Sequence, residues 1–164
     1  QLDRFMFLVK VGYPNADEEL RIVQSTTSVA GAPPKPLLSA DDIRTLQDMV
    51  RRVPVSDHVV KYAVEFARRT RKDGPDAPDF VKQNVEWGAG PRASQYLVLA
   101  AKAHAVLHGR TYVSGADIRA VAKPVLRHRI LLSYGAQAQK RDSDWIIDQL
   151  LETIPRAEAD RAVG

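Results

Sequence analysis

The hydrophobic pattern is helical over most of the chain. After residue 39, apolar residues recur three or four positions apart, a spacing that places them on one face of an α-helix. The runs follow residues or turns that commonly start helices, and Ser39 and Ser114 are each followed three positions later by an aspartate, as in a capping box. The pattern predicts helices that begin after Ser39, Ser56, the turn at 88–91 and Ser114, and a last helix over 143–153.

Two stretches of the helical part are less regular. Pro124 falls inside a helical run and is expected to stop or kink that helix, with residues 125–132 continuing beyond it. Residues 80–87 are expected to form a short strand or an irregular segment. The fold class predicted for the chain is therefore mainly α.

The first thirty residues follow a different pattern. Residues 5–11 are nearly all strand formers and are ended by Gly12 and Pro14, which predicts one short, largely buried β-strand. Asn15, followed by acidic residues, then predicts a helix over 15–28. A single strand is not stable alone, and no later segment is a good partner for it. We therefore expect the chain to carry the end of an α/β unit and to be part of a larger parent protein.

A proline-rich stretch separates the two patterns. Residues 31–36 contain three prolines within four positions, which excludes regular structure and is typical of a stiff linker. The predicted organisation is the end of an α/β unit with its linker over 1–34, an all-helical domain over 35–155 and a tail over 156–164.

Composition excludes several classes of function. The 164 residues include no cysteine, so a disulfide framework, a thiol nucleophile and a cysteine-based zinc site are excluded. No apolar run approaches the length of a membrane span and no signal peptide is evident, so a cytoplasmic protein is expected. The sequence also lacks a phosphate-binding loop of the form G-x-x-x-x-G-K-[ST]. The chain alone is therefore expected to hold no triphosphate with its magnesium and to be inactive as an ATPase.

Two arginines stand out, and one of them is a candidate for binding phosphate. Arg92 follows the glycine-rich turn at 88–91, in the first turn of a predicted helix, where a cation opposes the helix dipole unless an anion lies between them. A phosphate would satisfy both groups, and the alternative is an exposed arginine paired with a nearby acid. Arg4 precedes the predicted strand, and on physical grounds alone an ordinary ion pair with Asp3 is the simpler interpretation.

A basic run and a histidine pair leave other functions open. Residues 118–141 contain six lysines and arginines and no acid, which suits an acidic partner, a phosphate, nucleic acid or simply a solvated surface. His104 and His108 share a helix face, yet no third metal ligand lies at a useful spacing, so no metal site is predicted. The apolar face of the last helix, around Trp145, Ile146 and Leu150, is the basis for a third possibility, a protein-interaction scaffold.

Several short motifs in fixed order resemble the C-terminal part of MoxR-type AAA+ ATPases, relatives of the magnesium-chelatase ATPase subunit. The resemblance extends from residue 1 to about residue 155. The motifs are Gln1-Leu-Asp-Arg-Phe5, Val11-Gly-Tyr-Pro14, Gly88-Ala-Gly-Pro-Arg-Ala-Ser94, Gly109-Arg-Thr-Tyr-Val-Ser-Gly-Ala-Asp117 and Pro124-Val-Leu-Arg-His-Arg-Ile130.

This resemblance implies a division of the chain and a role for both arginines. Residues 1–34 would be the last strand and helix of the AAA+ core with its linker, and 35–155 the helical lid. Arg4 would be the arginine finger that reaches a neighbouring subunit's nucleotide, and Arg92 would be the sensor-2 arginine that binds ATP, in cis or in trans. The family motif usually has serine where this chain has Gly90, which places the rigidity of that turn in question.

The resemblance also implies the activity, cofactors and partners of the parent protein. It would bind and hydrolyse ATP with Mg²⁺, held mainly by the absent core, in a ring that is expected to be a hexamer. It would remodel or activate a client protein in a chaperone-like way, with metal-cofactor insertion as one form of that activation. The alternatives are the helical scaffold and, with less support, a basic nucleic-acid-binding module.

Overall fold

The computed structural model describes residues 1–29, 31, 33 and 35–155. These residues form eight α-helices, one short 3₁₀ helix at Leu2–Arg4 and one two-stranded antiparallel sheet. The α-helices are α1 (Ala16–Thr27), α2 (Ala40–Arg52), α3 (Asp57–Arg68), α4 (Asp79–Asn84), α5 (Pro91–Leu107), α6 (Gly115–Leu126), α7 (Tyr134–Ala138) and α8 (Ser143–Thr153). The strands are β1 (Val85–Trp87) and β2 (Leu131–Leu132). The predicted mainly α fold class is confirmed.

The helices begin at the predicted caps because those signals are local. The side chain of Asn15 accepts a hydrogen bond from the backbone of Glu18 at 2.9 Å, and the Glu18 carboxylate accepts one from the backbone of Asn15 at 2.9 Å. Ser39 and Asp42 exchange the same two bonds at the start of α2. Each pair satisfies two backbone donors that the first turn would otherwise leave without a partner.

The core lies among α3, α5, α6 and α8. Helix α5 is central, packs against α3 and α6, and carries alanine at four buried positions, which lets its neighbours approach closely. Large side chains from the surrounding helices close around it, and burying each contributes about 1.5–3 kcal/mol. They include Val59, Phe66, Ile118, Leu126, Ile146 and Leu150, all at 0% exposure.

Residues 5–11 do not form the predicted strand. Residues 7–15 have no regular structure, and Val9 and Val11 are 72% and 89% exposed. The two strands in the described part of the chain pair with each other at 85–87 and 131–132, so residues 5–11 have no ladder to join. Helix α1 forms as predicted but buries no residue, and its apolar Leu20 and Val23 are more than half exposed.

The end of α6 also differs from the expectation. The helix passes through Pro124 but ends at Leu126, and residues 131–132 then form β2 instead of continuing as helix. Proline lacks a backbone N–H donor and therefore weakens the last turn of the helix. Residues 131–132 instead form backbone hydrogen bonds with the extended strand β1. No helix in the described part of the chain combines the length and the apolar character needed to cross a membrane.

Candidate functional site

Residues 1–10, here named the N-terminal segment, lie across the first turns of α5 and the end of α6. The hydroxyl of Tyr96 in α5 donates to the carbonyl of Arg4 at 3.0 Å. The backbone N–H of Leu8 donates to the carbonyl of Pro124 in the last turn of α6 at 2.9 Å. The segment that carries one candidate arginine is thus attached to the helix that carries the other.

The carboxylate of Asp3 joins two arginines. Its Oδ2 accepts from Nη1 of Arg92 at 2.8 Å, and its Oδ1 accepts from Nε of Arg129 at 3.1 Å. The side chains of Arg92 and Asp3 are 49% and 47% exposed, whereas that of Arg129 is 1% exposed. Arg92 is therefore paired with an acid, as the alternative to phosphate binding predicted. Its guanidinium nevertheless remains accessible to solvent and to a competing anion.

Arg129 fixes the backbone of the N-terminal segment. Its Nη2 donates to the carbonyls of Asp3 and Phe5 at 2.8 and 2.6 Å, and its Nη1 donates to Met6 at 3.3 Å and to the carbonyl of Val125. Burial lowers the pKa of Arg129 and the nearby Asp3 opposes that effect. Because a guanidinium is protonated at any physiological pH, these bonds are charge-assisted.

Arg4 is exposed and does not form the expected pair with Asp3. Within the described part of the chain no carboxylate lies at ion-pairing distance from its guanidinium, and the Asp3 carboxylate is taken by Arg92 and Arg129. The guanidinium carbon lies 5.3 Å from the centre of its neighbour's ring, Phe5. The side chain of Arg4 thus projects from a backbone that is fixed on both sides.

The turn before Arg92 is held by its backbone. The N–H of Ala89 donates to the hydroxyl of Thr70 at 2.8 Å, and the carbonyl of Ala89 accepts from Nε of Arg71 at 2.8 Å. A Cβ on Gly88 would lie 2.3 Å from the carbonyl oxygen of Thr70, so only glycine permits this approach. Gly90 is the N-cap of α5 and supplies no side-chain cap. The turn is therefore fixed without the serine that the family motif has at position 90.

A groove of about 490 Å³ opens beside this turn. Its walls include Arg68, Lys72 and the turn itself, together with Trp87, which is 73% exposed. Arg68 and Lys72 face Asp76 and Glu86 at 3.7 and 3.0 Å. The charges of the groove are thus largely balanced within the chain.

Five of the six cations in the basic run at 118–141 form internal contacts, while Lys140 is exposed. Where these cations pair with acids, the acids lie elsewhere in the sequence. The contacts are Arg119 with Tyr62 and Leu151, Lys123 with Asp148, Arg127 with Asp144 and Leu8, His128 with Phe5, Arg129 with Asp3, and Arg141 with Asn84 and the ring of Trp145. The observation that suggested nucleic-acid binding therefore has a structural explanation.

The histidines and the last helix are also used internally. His104 donates from Nδ1 to the buried carboxylate of Asp117 at 2.6 Å, and the rings of His104 and His108 are 4.1 Å apart. No cluster of three His, Cys, Asp or Glu side chains suited to a metal occurs among the described residues. Ile146 and Leu150 are fully buried, so the apolar face proposed for a scaffold packs into the core.

Asp3, Arg129 and Asp117 were missed as interacting residues by the sequence analysis. Asp3 was considered only as a partner of Arg4, Arg129 as one cation in a run, and Asp117 as part of a helix cap. Their partners lie up to 126 positions away, and no local pattern carries that information. The place of Arg129 within a short motif shared with a known family is the one sequence signal that could have drawn attention to it.

Comparison with known proteins identifies the class to which this helical domain belongs. Residues 79–150 match the family model of the AAA lid domain. A crystal structure of a Cytophaga hutchinsonii protein, described as a candidate ATPase, superimposes with a TM-score of 0.85 at 28% identity and covers 94% of this chain and 47% of that one. Residues 79–150 therefore correspond to an AAA lid domain.

Two curated relatives match nearly the whole chain. Chaperone MoxR1 of Mycobacterium tuberculosis is 36% identical over 154 residues, which cover 94% of this chain and 41% of that protein. The protein YeaC of Bacillus subtilis is 32% identical over 155 residues, 94% of this chain and 46% of that protein. The chain thus spans less than half the length of either relative. The predicted resemblance to MoxR-type AAA+ ATPases is confirmed, and this chain corresponds to their lid-bearing part.

Proposed function

We propose that this chain is the lid region of a parent protein that binds and hydrolyses ATP in an oligomeric ring and remodels or activates a client protein. The relative named as a chaperone supports the last part of this proposal. The observation that carries it is the placement of Arg4 and Arg92. Both guanidinium groups are exposed, and both are connected through the N-terminal segment at one end of α5.

Each arginine has its own part in the proposed reaction. Hydrolysis of the γ-phosphate spreads negative charge over its oxygens, and that charge is stabilised by fixed cations. Arg92 binds the phosphate of the nucleotide from the lid, and Arg4 reaches the nucleotide of a neighbouring subunit. An arginine finger contributes about 10³–10⁵ in rate, or roughly 4–7 kcal/mol.

ATP and Mg²⁺ would be shared between the lid and the rest of the parent protein. The described residues offer the nucleotide exposed guanidinium groups, which suit phosphate oxygens, but no cluster of carboxylates for Mg²⁺. The metal would therefore be held by the polypeptide of the ATPase core. When bound, it neutralises charge on the phosphates, while the lid residues bind and orient the γ-phosphate.

Substitution of the two arginines in the parent protein tests this function. We expect Arg4→Ala to lower kcat for ATP hydrolysis by about 10³-fold or more while ATP binding is retained. Arg92→Ala is expected to weaken ATP binding and to lower the rate as well. Arg44→Ala is the matched control, because Arg44 is exposed on α2 and pairs only with Asp41 in the described structure.

The same experiment separates the alternative functions. An unchanged ATPase rate in both Arg4→Ala and Arg92→Ala would favour a scaffold without a nucleotide role and contradict the proposal. The scaffold has lost structural support, because Ile146 and Leu150 lie in the core. The nucleic-acid module has lost support for a similar reason, since five of its six cations contact other parts of the chain.

A further inference from the structure

We propose that Asp3 is a positioning residue that couples Arg92 to Arg4. This inference rests on the proposed function, because it assigns a consequence to the two arginines that the proposed function places at nucleotides. In this role Asp3 contacts neither the γ-phosphate nor the attacking water. One carboxylate oxygen of Asp3 accepts from Arg92 and the other accepts from Arg129. The contact with Arg129 fixes the N-terminal segment, in which Arg4 directly follows Asp3.

The two contacts of Asp3 differ in strength. The contact with Arg129 is anchored in the core, because that guanidinium is 1% exposed and also donates to four backbone carbonyls. The contact with Arg92 is between side chains that are about half exposed, and such exposed ion pairs contribute little to stability. An incoming phosphate would therefore take Arg92 from Asp3 and leave the contact with Arg129 in place.

The backbone around Arg4 cannot move independently of the helices. The carbonyl of Arg4 accepts from Tyr96 in α5, and the carbonyl of Phe5 accepts from both Arg129 and His128. A displacement of α5 on phosphate binding would thus be transmitted to the residue that carries the finger. Since misplacing a catalytic group by about 1 Å can cost on the order of 10²-fold in rate, this attachment has a measurable consequence.

The opposing effects on binding and rate make the proposal specific. Asp3→Asn retains the size of the side chain but removes the charge that competes with phosphate for Arg92. We expect the parent protein with this change to bind ATP at least as tightly as the wild type, with kcat lowered by about ten- to a hundredfold. Asp41→Asn is the matched control, because Asp41 is exposed and pairs with Arg44 on α2.

A double-mutant cycle shows whether Asp3 acts through Arg4. If it does, Asp3→Asn lowers kcat in the wild-type background and causes no further loss in the Arg4→Ala background. Equal fold-losses in the two backgrounds, or a wild-type kcat for Asp3→Asn alone, would overturn the inference. Should Arg4→Ala itself leave kcat unchanged, the proposed function of Arg4 fails instead, so the two failures are distinguishable.

Thermal unfolding of each variant shows whether the fold is kept. Asp3 is half exposed, but its carboxylate is the ion-pair partner of the buried Arg129, so a midpoint somewhat below that of the wild type is expected. If Asp3→Asn unfolds early, Asp3→Glu is taken through the same cycle, because it keeps the charge and shifts the carboxylate by one methylene. A loss of kcat that is absent in the Arg4→Ala background then supports the inference, and equal losses in the two backgrounds overturn it.

Discussion

At the scale of single residues, the buried carboxylate of Asp117 both caps a helix and forms contacts that the local sequence does not predict. The sequence predicts Asp117 as the third residue of a helix cap, and its Oδ2 does accept from the backbone of Ser114 at 2.9 Å. The structure adds Arg110, which donates from Nη1 and Nη2 at 2.6 and 2.5 Å, and His104. These contacts join the end of α5 to the start of α6, and they depend on how the two helices pack.

Asp117 is expected to make stability depend on acid. Burial by itself would raise the pKa of Asp117, but hydrogen bonds from Arg110, Ser114 and His104 outweigh it and hold the pKa well below its ordinary value. The unfolded chain therefore takes up a proton near pH 4 while the folded chain does not, so this contribution is present above that pH and is lost as the pH falls below it.

Replacing Asp117 by Asn tests that dependence. Removing one partner of a buried ion pair costs about 3–5 kcal/mol, so the variant should be less stable than the wild type at pH 7. The difference should shrink as the pH falls from about 5 to 2, since the wild type alone loses this contribution. Denaturant unfolding at several pH values measures it, and a difference that is constant with pH would contradict the assignment to Asp117.

At the scale of elements, helices with caps were predictable and short elements were not. The starts of α1, α2, α3, α5, α6 and α8 follow from residues within one turn of the cap, so sequence alone places them. Helices α4 and α7 and the two strands are two to six residues long and have no periodicity to recognise. The predicted strand at 5–11 failed because strand formation needs a partner that the described chain does not offer.

The turn before α5 provides a matched pair of substitutions. Gly88→Ser would place its Cβ 2.3 Å from the backbone oxygen of Thr70, which cannot move aside as a side chain could, and should destabilise the chain by about 1–3 kcal/mol. Gly90→Ser makes the same chemical change two residues away, where nothing lies within 4 Å. It supplies the missing N-cap oxygen of α5 and should be neutral or stabilising by a few tenths of a kcal/mol.

Thermal unfolding of the two serine variants measures this difference. A change of 1 kcal/mol shifts the midpoint by about 2–4 °C in a domain of this size, so the two midpoints should separate clearly. Equal midpoints for both variants would show that the close approach of the turn to Thr70 is not what holds it.

At the scale of the whole molecule, the chain carries both candidate arginines and lacks the phosphate-binding loop. The position of Arg92 at a helix start made it a candidate for binding phosphate with an ordinary ion pair as the alternative, whereas Arg4 became a candidate only through the resemblance. The sequence could not place Asp3 between Arg92 and Arg129, because that arrangement needs residues 3, 92 and 129 to meet in three dimensions. The sequence thus named Arg4 and Arg92 as candidates, and their connection through Asp3 came only from the structure.

The chain as printed is expected to show no ATP hydrolysis. It has guanidinium groups for phosphate but no G-x-x-x-x-G-K-[ST] loop to hold a triphosphate, and positioning supplies most of the catalysis in phosphoryl transfer. Phosphate release by the purified chain, measured beside that by the parent protein at equal concentration, checks this. Turnover by the isolated chain that survives further purification would contradict it.

The hydrogen bond from Leu8 to Pro124 allows detachment of the N-terminal segment to be measured. It joins the N-terminal segment to the last turn of α6, and no ladder of neighbouring strand bonds shelters the donor. Whenever the segment detaches, the Leu8 amide is released to water and its proton exchanges with solvent deuterium. The exchange rate of this single amide would therefore record how often the N-terminal segment separates from the helices, even where the helices themselves stay intact.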